Sequence, residues 1–406
     1  MTQRNIRVKI EKALARSPVV LLTGARQTGK STLVQEIGNE KGYHYVSFDD
    51  VQQLSAALAD PIGFINGLPK PVVLDEVQRF PELFLTIKRD VDQNRMPGRY
   101  LLTGSANPLL IPRLGDSLAG RMEIFNLFPL SQGEINGTKE DFVDMLFDGK
   151  LPKITTQLSQ NDLYKKIDVG GYPSIQNFDE EGRDSWFNGY ITTTLQRDVK
   201  DLAQIEGLAD FPRLLQLLAT RVGNLINVAD LARAIGLPNT TLHRYLTLLE
   251  TIFITSFQRA WTSNLGNRLV KSQKIYLVDS GLAAYLLGVQ VARASNYQFI
   301  GGVLENFVVG EINKQISWCK KRIQAFHYRT LSGIEVDIVL EDAAGNIVGI
   351  EVKNAQTVYS QNFNGLKYLQ QEVGEKFIQG IVVYTGSQSV PFGDKLHALP
   401  VHALWS

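Results

Sequence analysis

The sequence predicts an α/β protein in three parts: a parallel-sheet domain over residues 1–135, a helical module over residues 136–295, and a second α/β domain over residues 296–406. In the first part short apolar runs alternate with helical patterns, whereas in the centre of the second part the apolar spacing is helical. Strand-like runs return in the last part, after one long helical pattern. A chain of 406 residues is also too long for one ordinary core, which favours two or three domains.

Composition narrows the class of protein. Apolar residues make up 44% of the chain and charged residues 20%, as in soluble folded proteins. The formal charge is +1 and no part is strongly basic, so bulk charge does not predict nucleic-acid binding, although a local basic patch stays open. Cys319 is the single cysteine, which fits a reducing compartment. Because no apolar run reaches about 18 residues, we expect no membrane span and a cytoplasmic location.

Continuous apolar strands separated by helices indicate a parallel sheet that helices cover on both faces. Such strands are predicted within residues 19–24, 43–49, 71–76, 99–107 and 122–130. Ligands of these sheets bind at the carboxyl ends of the strands. We therefore expect the candidate functional groups of this domain at that edge.

The first strand runs directly into the segment GARQTGKST, which is followed by a helical pattern. This G-x4-G-K-S spacing, between a strand and a helix, predicts a phosphate-binding P-loop for ATP, because glycines let backbone amides converge on phosphates at a helix N-terminus. Lys30 should reach the β- and γ-phosphates, and Ser31 should bind Mg²⁺. The residues expected to contact the nucleotide are Gly24, Ala25, Arg26, Gln27, Thr28, Gly29, Lys30, Ser31 and Thr32.

A second element, PVVLDEVQ, ends its strand in two adjacent carboxylates, Asp75 and Glu76. Mg²⁺ needs oxygen ligands, so Asp75 is expected to hold it together with Ser31. Glu76 can accept a proton from the attacking water as a general base. The alternative is that both carboxylates only cap a helix.

Two further elements complete the predicted site. The strand LLTGSAN ends in three polar residues, Thr103, Ser105 and Asn107, and the sequence does not distinguish which of them senses the γ-phosphate and orients the water. Arg121 precedes the last strand and is predicted to act as a finger on the γ-phosphate of a neighbouring subunit. The alternative for Arg121 is a surface ion pair.

The middle part predicts a helix-turn-helix over NVADLARAIG and PNTTLHRYLTLLE, followed by the two strands of a wing. DNA is a candidate partner of this winged helix, and packing or oligomerisation is the alternative. The polar face of the second helix carries Thr240, Thr241, His243, Arg244 and Thr247, and the wing loop carries Arg268, Lys271 and Lys274. Two upstream marks, GGYP (170–173) and the pair Arg197–Asp198, are interpreted as packing between domains.

In the last part, carboxylates recur on a helix and two strands. Glu305 lies on the helix, Asp337 on one strand, and Glu351 and Lys353 on one side of the next strand. Three carboxylates with a lysine predict a second Mg²⁺ site of the kind that hydrolyses phosphodiesters. A charge ladder and an inactive site are the alternatives, and His327 and Cys319 are interpreted as structural.

Together the first motifs resemble the AAA-type ATPases, and the whole chain resembles a prokaryotic family that joins such an ATPase to a C-terminal domain of unknown function. The last part resembles the PD-(D/E)XK nuclease fold through Glu305, Asp337, Glu351 and Lys353, although Glu335 and Val336 stand where a proline often precedes the aspartate. The resemblance implies a homo-oligomeric ATPase in which Arg121 acts on a neighbour. Two functions follow: a DNA-processing machine, or a nucleotide-controlled interaction scaffold with an inactive nuclease-like domain.

Overall fold

A computed structural model describes residues 2–105, 118–154, 157–195, 210–264, 266, 268, 271–293 and 298–406. Asn107 and the pair Arg197–Asp198, singled out from the sequence, lie outside these residues.

The apolar runs of the first part form a five-stranded sheet in which every pairing is parallel. Its strands are β1 (Val19–Gly24), β2 (His44–Ser47), β3 (Val72–Asp75), β4 (Tyr100–Ser105) and β5 (Met122–Asn126). The spatial order is β2-β3-β4-β1-β5, so β4 lies between β1 and β3. This confirms the predicted parallel-sheet domain and brings the ends of β1 and β3 to the same edge.

Helices cover both faces of this sheet. They are α1 (Arg7–Leu14), α2 (Lys30–Lys41), α3 (Val51–Ala59), α4 (Pro61–Gly67) and α5 (Leu83–Gln93). Leu21 and Leu74 face the cluster that contains Ile87 of α5, whereas Leu22 faces the cluster that contains Ile37 of α2. Because successive side chains of a strand point to opposite faces, the apolar strands supply both cores.

The middle part is helical and contains one two-stranded antiparallel sheet. Its elements are α6 (Gln132–Asn136), α7 (Phe142–Phe147), α8 (Gln160–Val169), α9 (Glu180–Thr194), α10 (Phe211–Ala219), α11 (Val228–Ile235), α12 (Asn239–Thr251), β6 (Thr255–Gln258), β7 (Lys274–Leu277) and α13 (Ser280–Leu287). The stripe of Leu242, Tyr245 and Leu249 on α12 is buried, as its spacing predicts. Three helices followed by a hairpin have the order expected of a winged helix, and that class stays a prediction.

The last part is a six-stranded mixed sheet with one long helix before it. Its elements are α14 (Ile300–Trp318), β8 (Ile323–Arg329), β9 (Glu335–Asp342), β10 (Ile347–Lys353), α15 (Asn364–Val373), β11 (Phe377–Tyr384), β12 (Val390–Gly393) and β13 (Leu396–Pro400). Strands β8, β9 and β10 are antiparallel, and β10, β11 and β13 are parallel. The predicted order of helix and strands appears, followed by the pair β12 and β13, which the sequence did not indicate.

One buried cluster joins the middle and last parts of the chain. It extends from Phe142 through Leu242 and Leu304 to Trp405. The cluster contains side chains from both parts of the chain, before and after residue 295. If the two parts are separated, these side chains lose apolar contacts. Experiments on the C-terminal site therefore require the full chain.

Candidate nucleotide site

The loop between β1 and α2 has the backbone conformation that its glycines allow. Gly24 has φ 148°, and a Cβ atom there would lie 2.2 Å from the carbonyl oxygen of Leu127. Gly29 has φ 90° and directly precedes α2. Both positions therefore favour glycine, one through close approach of another backbone segment and one through its left-handed conformation.

Lys30 points back into this loop. Its side chain is buried, and its Nζ donates hydrogen bonds to the carbonyl oxygens of Gly24 at 3.0 Å and Ala25 at 2.8 Å. Thr28 also donates to the Ala25 carbonyl, at 2.9 Å. The loop thus holds a positive charge beside the backbone groups that the sequence assigns to the phosphates.

Arg4 supports the loop from the N-terminal segment. Its guanidinium donates to the carbonyl oxygens of Thr28 at 2.7 Å and Phe128 at 2.6 Å, and it pairs with Glu134 at 3.1 Å. These partners lie up to 130 positions away in the chain. Sequence reasoning missed Arg4 because no local pattern connects it to them.

Ser31 and Asp75 meet at the edge of the sheet where β1 and β3 end. Ser31 donates a hydrogen bond to Asp75 Oδ1 at 3.1 Å, and Tyr45 donates to Asp75 Oδ2 at 2.7 Å. Thr103 also donates to the Asp75 carboxylate, which is 3% exposed. Burial and the bond to Asp75 raise the pKa of Tyr45 above its usual value. A hydroxyl and a carboxylate in contact are the hard oxygen donors that suit Mg²⁺, so these residues fit the metal that the sequence predicts.

Glu76 follows β3 in a left-handed conformation with φ 61°. Its backbone N–H donates to the Thr103 hydroxyl at 3.0 Å, and its carboxylate accepts a hydrogen bond from the Gln78 amide. The same amide nitrogen donates to Ser105 at 2.8 Å. Thr103 and Ser105 therefore contact the Asp75–Glu76 segment and its neighbour Gln78.

Gln78 is a further candidate that sequence reasoning missed. Its Oε1 is buried and accepts no hydrogen bond from the residues that the structure describes. The available signal was its position two residues after Glu76, in the motif LDEVQ. The structure thus places a positioning amide and an open acceptor beside the predicted general base.

Arg121 lies at the amino ends of the strands, on the side of the sheet opposite the P-loop. This corrects the expectation that every candidate group lies at the carboxyl ends. It precedes β5, and Val19 at the start of β1 donates to its carbonyl oxygen at 3.2 Å. The rise along β1 separates this edge from the P-loop by roughly 16 Å. Arg121 pairs with Asp92, and its side chain is 29% exposed. It is therefore too far away to act on a nucleotide in its own P-loop.

The polar face of α12 is largely exposed, but the basic residues of the predicted wing loop are not. Arg268 is buried, where it pairs with Glu341 and donates to the Thr262 carbonyl at 2.6 Å. Lys274 is 1% exposed, whereas Lys271 is exposed. Of the three basic residues that the sequence places in the wing loop, Arg268 and Lys274 are therefore not open to a partner, because carboxylates of the last part of the chain bind them.

The predicted second metal site contains an amine. Lys274 Nζ lies 2.9 Å from Glu305 Oε1, 2.6 Å from Glu335 Oε1 and 2.9 Å from Asp337 Oδ1. Lys353 binds the nearby Glu351 at 2.7 Å. In the described parts of the chain, no three His, Cys, Asp or Glu residues are grouped to hold a metal ion. Of the three predicted carboxylates, Glu305 and Asp337 meet at Lys274 together with Glu335, whereas Glu351 binds Lys353. The cation among these carboxylates is Lys274, which corrects the metal assignment.

Burial and neighbouring charges shift the pKa values of the ionisable side chains in this cluster. Burial, with the neighbouring Asp337 charge, raises the pKa values of Glu305 and Glu351. The three carboxylates around Lys274 raise the pKa of its ammonium despite burial. Lys274 is therefore a cation in the folded protein at neutral pH.

The segment GGYP joins the first and middle parts. A Cβ atom on Gly171 would lie 2.3 Å from the Leu130 carbonyl oxygen, and its backbone N–H donates to Asp279 at 2.6 Å. Ser174, immediately after the segment, donates to Gln27 of the P-loop at 3.2 Å. The segment thus packs between modules and reaches the nucleotide loop.

The parallel sheet, the loop that holds Lys30 and the contact of Ser31 with Asp75 are the features of an AAA-like P-loop domain. Residues 16–136 match the AAA domain family, residues 160–293 match a domain of unknown function (DUF8612), and residues 300–404 match a second domain of unknown function (DUF4143).

Relatives cover nearly the whole chain. Uncharacterised proteins of Mycobacterium tuberculosis and Mycobacterium bovis are each 32% identical over 403 residues, which span 98% of this chain and 83% of theirs. The chain belongs to the family of these mycobacterial proteins. An uncharacterised protein of Haemophilus influenzae is similar at 23% identity over 72% of this chain and 74% of its own length.

Solved structures are more distant. A Walker-type ATPase of Pyrococcus abyssi is 16% identical with a TM-score of 0.44, over 70% of this chain and 96% of that one. The Holliday junction branch migration motor of Thermotoga maritima is 20% identical with a TM-score of 0.29, over 62% of this chain and 88% of that one.

No helix in the described ranges is long and apolar enough to cross a membrane.

Proposed function

We propose that this chain hydrolyses ATP, with Mg²⁺, at the P-loop between β1 and α2. The observation that carries the proposal is the contact of Ser31 with Asp75 at 3.1 Å, beside Glu76 and below a loop that holds the Lys30 ammonium. A phosphate-binding loop, a pair of hard oxygen ligands and a general base are thereby assembled from separate segments at one edge of the sheet.

Each of these residues has a distinct task in the proposed reaction. The loop amides and Lys30 bind the β- and γ-phosphates and neutralise their charge. Ser31 and Asp75 would hold Mg²⁺, which supplies charge neutralisation on the phosphate oxygens when it is bound. These residues fix the γ-phosphate in place for attack.

Glu76 is proposed to take the proton of the attacking water. As the water oxygen bonds to the γ-phosphorus, the bond from that phosphorus to the bridging β-γ oxygen breaks and ADP leaves. Glu76 accepts the proton, since its carboxylate lies on the strand end next to the metal ligand Asp75. The Gln78 amide, which also donates to Ser105, holds the carboxylate in position.

We also propose assembly into a homo-oligomer, and the position of Arg121 supports this proposal. Because it lies at the edge of the sheet opposite its own P-loop, an Arg121 that contacts a γ-phosphate must contact that of another subunit. Its ion pair with Asp92 is partly exposed, so a modest free energy, about 1 kcal/mol or less, holds it there. Nucleotide in a neighbour can compete for this guanidinium.

For the other two modules, buried ion pairs favour the scaffold function over DNA cleavage. Arg268 and Lys274 bind carboxylates inside the protein and leave only Lys271 of the three predicted basic residues exposed. We therefore infer that ATP turnover controls how these modules bind other proteins, with DNA binding as the second candidate through α12.

ATP turnover by the full chain tests the proposal. We expect hydrolysis that requires Mg²⁺ and is abolished in Lys30→Ala, because the charge that binds the phosphates is lost. Lys41→Ala, an exposed lysine at the end of the same helix, is the matched control and should keep full activity. Absence of Mg²⁺-dependent turnover in the parent, or parental turnover in Lys30→Ala, would refute the proposal.

A further inference from the structure

A buried cation joins the middle module to the C-terminal domain. Lys274 begins β7 of the middle module, whereas its three carboxylate partners, Glu305, Glu335 and Asp337, belong to α14 and β9. The three distances lie between 2.6 and 2.9 Å. An ammonium has three N–H donors, so each of them has its own carboxylate.

Two further donors bind the carboxylates of this cluster. Tyr276 donates to Glu305 Oε1 at 2.6 Å, the oxygen that Lys274 also contacts, and the backbone N–H of Val352 donates to Asp337 Oδ2 at 2.9 Å. A divalent ion binds several oxygens at about 2.0–2.6 Å and would need the space between the same carboxylates. It can enter only where the Lys274 ammonium leaves, because the two cations repel each other at such short range.

Removal of a single partner from a buried ion pair is costly, since it leaves an uncompensated charge. Here the charge of Lys274 is compensated entirely by the C-terminal domain. The same contacts therefore keep the carboxylates from binding metal and fasten β7 to β9.

We propose that Lys274 is a tethered cation that takes the place of a divalent ion. In the full chain the C-terminal carboxylate cluster is a joint between modules, and its capacity to bind Mg²⁺ or Mn²⁺ is latent. This role is independent of ATP hydrolysis. It also means that a metal-dependent nuclease reaction requires the Lys274 ammonium to leave the cluster.

Titration of the nucleotide-free full chain with Mn²⁺ tests the proposal, with Ser31→Ala present throughout to remove the contribution of the P-loop. We expect no Mn²⁺ binding that depends on Asp337 while Lys274 is present. Lys274→Met has similar length and no charge, and it should gain one Mn²⁺ per chain in electron paramagnetic resonance. Its Tm should then rise with Mn²⁺ concentration, and Asp337→Asn should abolish both effects.

Lys314→Met is the matched control. Lys314 is also buried, but it binds one carboxylate, Glu311 at 2.6 Å, and the Leu130 carbonyl at 3.0 Å, so its removal should create no Mn²⁺ site. A folded Lys274→Met chain that gains no Mn²⁺ would overturn the proposal. If Lys274→Met does not fold, the test uses Asp337→Asn in the chain that keeps Lys274. A lower Tm with unchanged Mn²⁺ binding supports the proposal, and loss of Mn²⁺ binding overturns it.

Discussion

The side-chain amide of Gln78 donates a hydrogen bond to the carboxylate of Glu76, two positions earlier in the chain. Through its second bond, to Ser105 at 2.8 Å, the amide connects that carboxylate to the end of β4. Glu76 itself has a left-handed backbone that turns the chain out of β3. The orientation of the proposed base is thus set by a residue outside the Asp75–Glu76 pair.

Gln78→Ala should lower kcat by about tenfold and leave nucleotide affinity nearly unchanged, because one hydrogen bond to a charged group contributes roughly 1.5 kcal/mol. If Gln78 acts through Glu76, the substitution should have no further effect in a Glu76→Gln background. Turnover and nucleotide affinity of the four proteins measure this coupling. Equal losses in both backgrounds would show that Gln78 acts independently of Glu76.

Arg121→Ala should lose most ATP turnover, by about 10³-fold, while nucleotide affinity is retained. The reason is that a finger contacts the γ-phosphate of a neighbour in the transition state. Mixed oligomers of Arg121→Ala and Glu76→Gln should recover part of the activity, since one kind of interface then combines an intact base with an intact finger. Asp92→Ala removes the ion-pair partner of Arg121. It is the control for the case in which Arg121 matters only through this structural ion pair. No recovery in oligomers that exchange subunits would identify Arg121 as structural.

If the exposed face of α12 binds DNA, reversing the charges of Arg244 and Lys271 should weaken binding at low salt and reduce its salt dependence. Lys12→Glu with Lys41→Glu makes the same change in charge at exposed positions of the first domain and should have little effect. A gel-shift titration at several salt concentrations measures both. Equal affinity of the two double variants would assign this face to packing or protein binding.

His327 should make the protein less stable in acid. Burial lowers the pKa of His327 to about 4, below the value of about 6.5 expected in the unfolded chain. Between these pH values the unfolded chain binds a proton that the folded protein excludes. The contribution of His327 to the free energy of unfolding is therefore fully present above about pH 6.5 and is lost as the pH falls towards about 4. The loss for this group amounts to about 3 kcal/mol.

His327→Gln keeps a donor for the Ser272 carbonyl, which His327 Nε2 contacts at 3.0 Å, and removes the titration. Its Tm should therefore fall less than that of the parent between pH 6.5 and 4. His243→Gln, at an exposed position, should follow the parent. Parallel profiles for parent and His327→Gln would contradict the assignment.

The candidate nucleotide site could be located from the sequence because its main groups lie in contiguous motifs. Gly24 to Thr32 and the Asp75–Glu76 pair each follow an apolar strand, and parallel pairing alone brings such strand ends together. The same rule places Arg121 at the amino ends of the strands, because Arg121 precedes β5. The sequence prediction nevertheless placed it with the groups at the carboxyl ends.

The ion pairs between modules could not be predicted. Lys274 is 31 and 63 positions from Glu305 and Asp337, and Arg4 is 130 positions from Glu134. In sequence, Lys274 has the appearance of an exposed basic residue in a loop, whereas in the structure it is buried and paired with carboxylates of α14 and β9. Whether a carboxylate cluster takes a metal or an amine depends on such distant contacts.

The most direct test of the account is ATP turnover by the full chain and its Glu76→Gln variant, with nucleotide binding measured on the same samples. Ser31 and Asp75 still hold the metal in this variant, while the proton acceptor is lost. We predict Mg²⁺-dependent hydrolysis by the parent, and a variant that binds ATP with similar affinity but hydrolyses it at least about 100-fold more slowly. Hydrolysis by Glu76→Gln at the parental rate would contradict the proposed site.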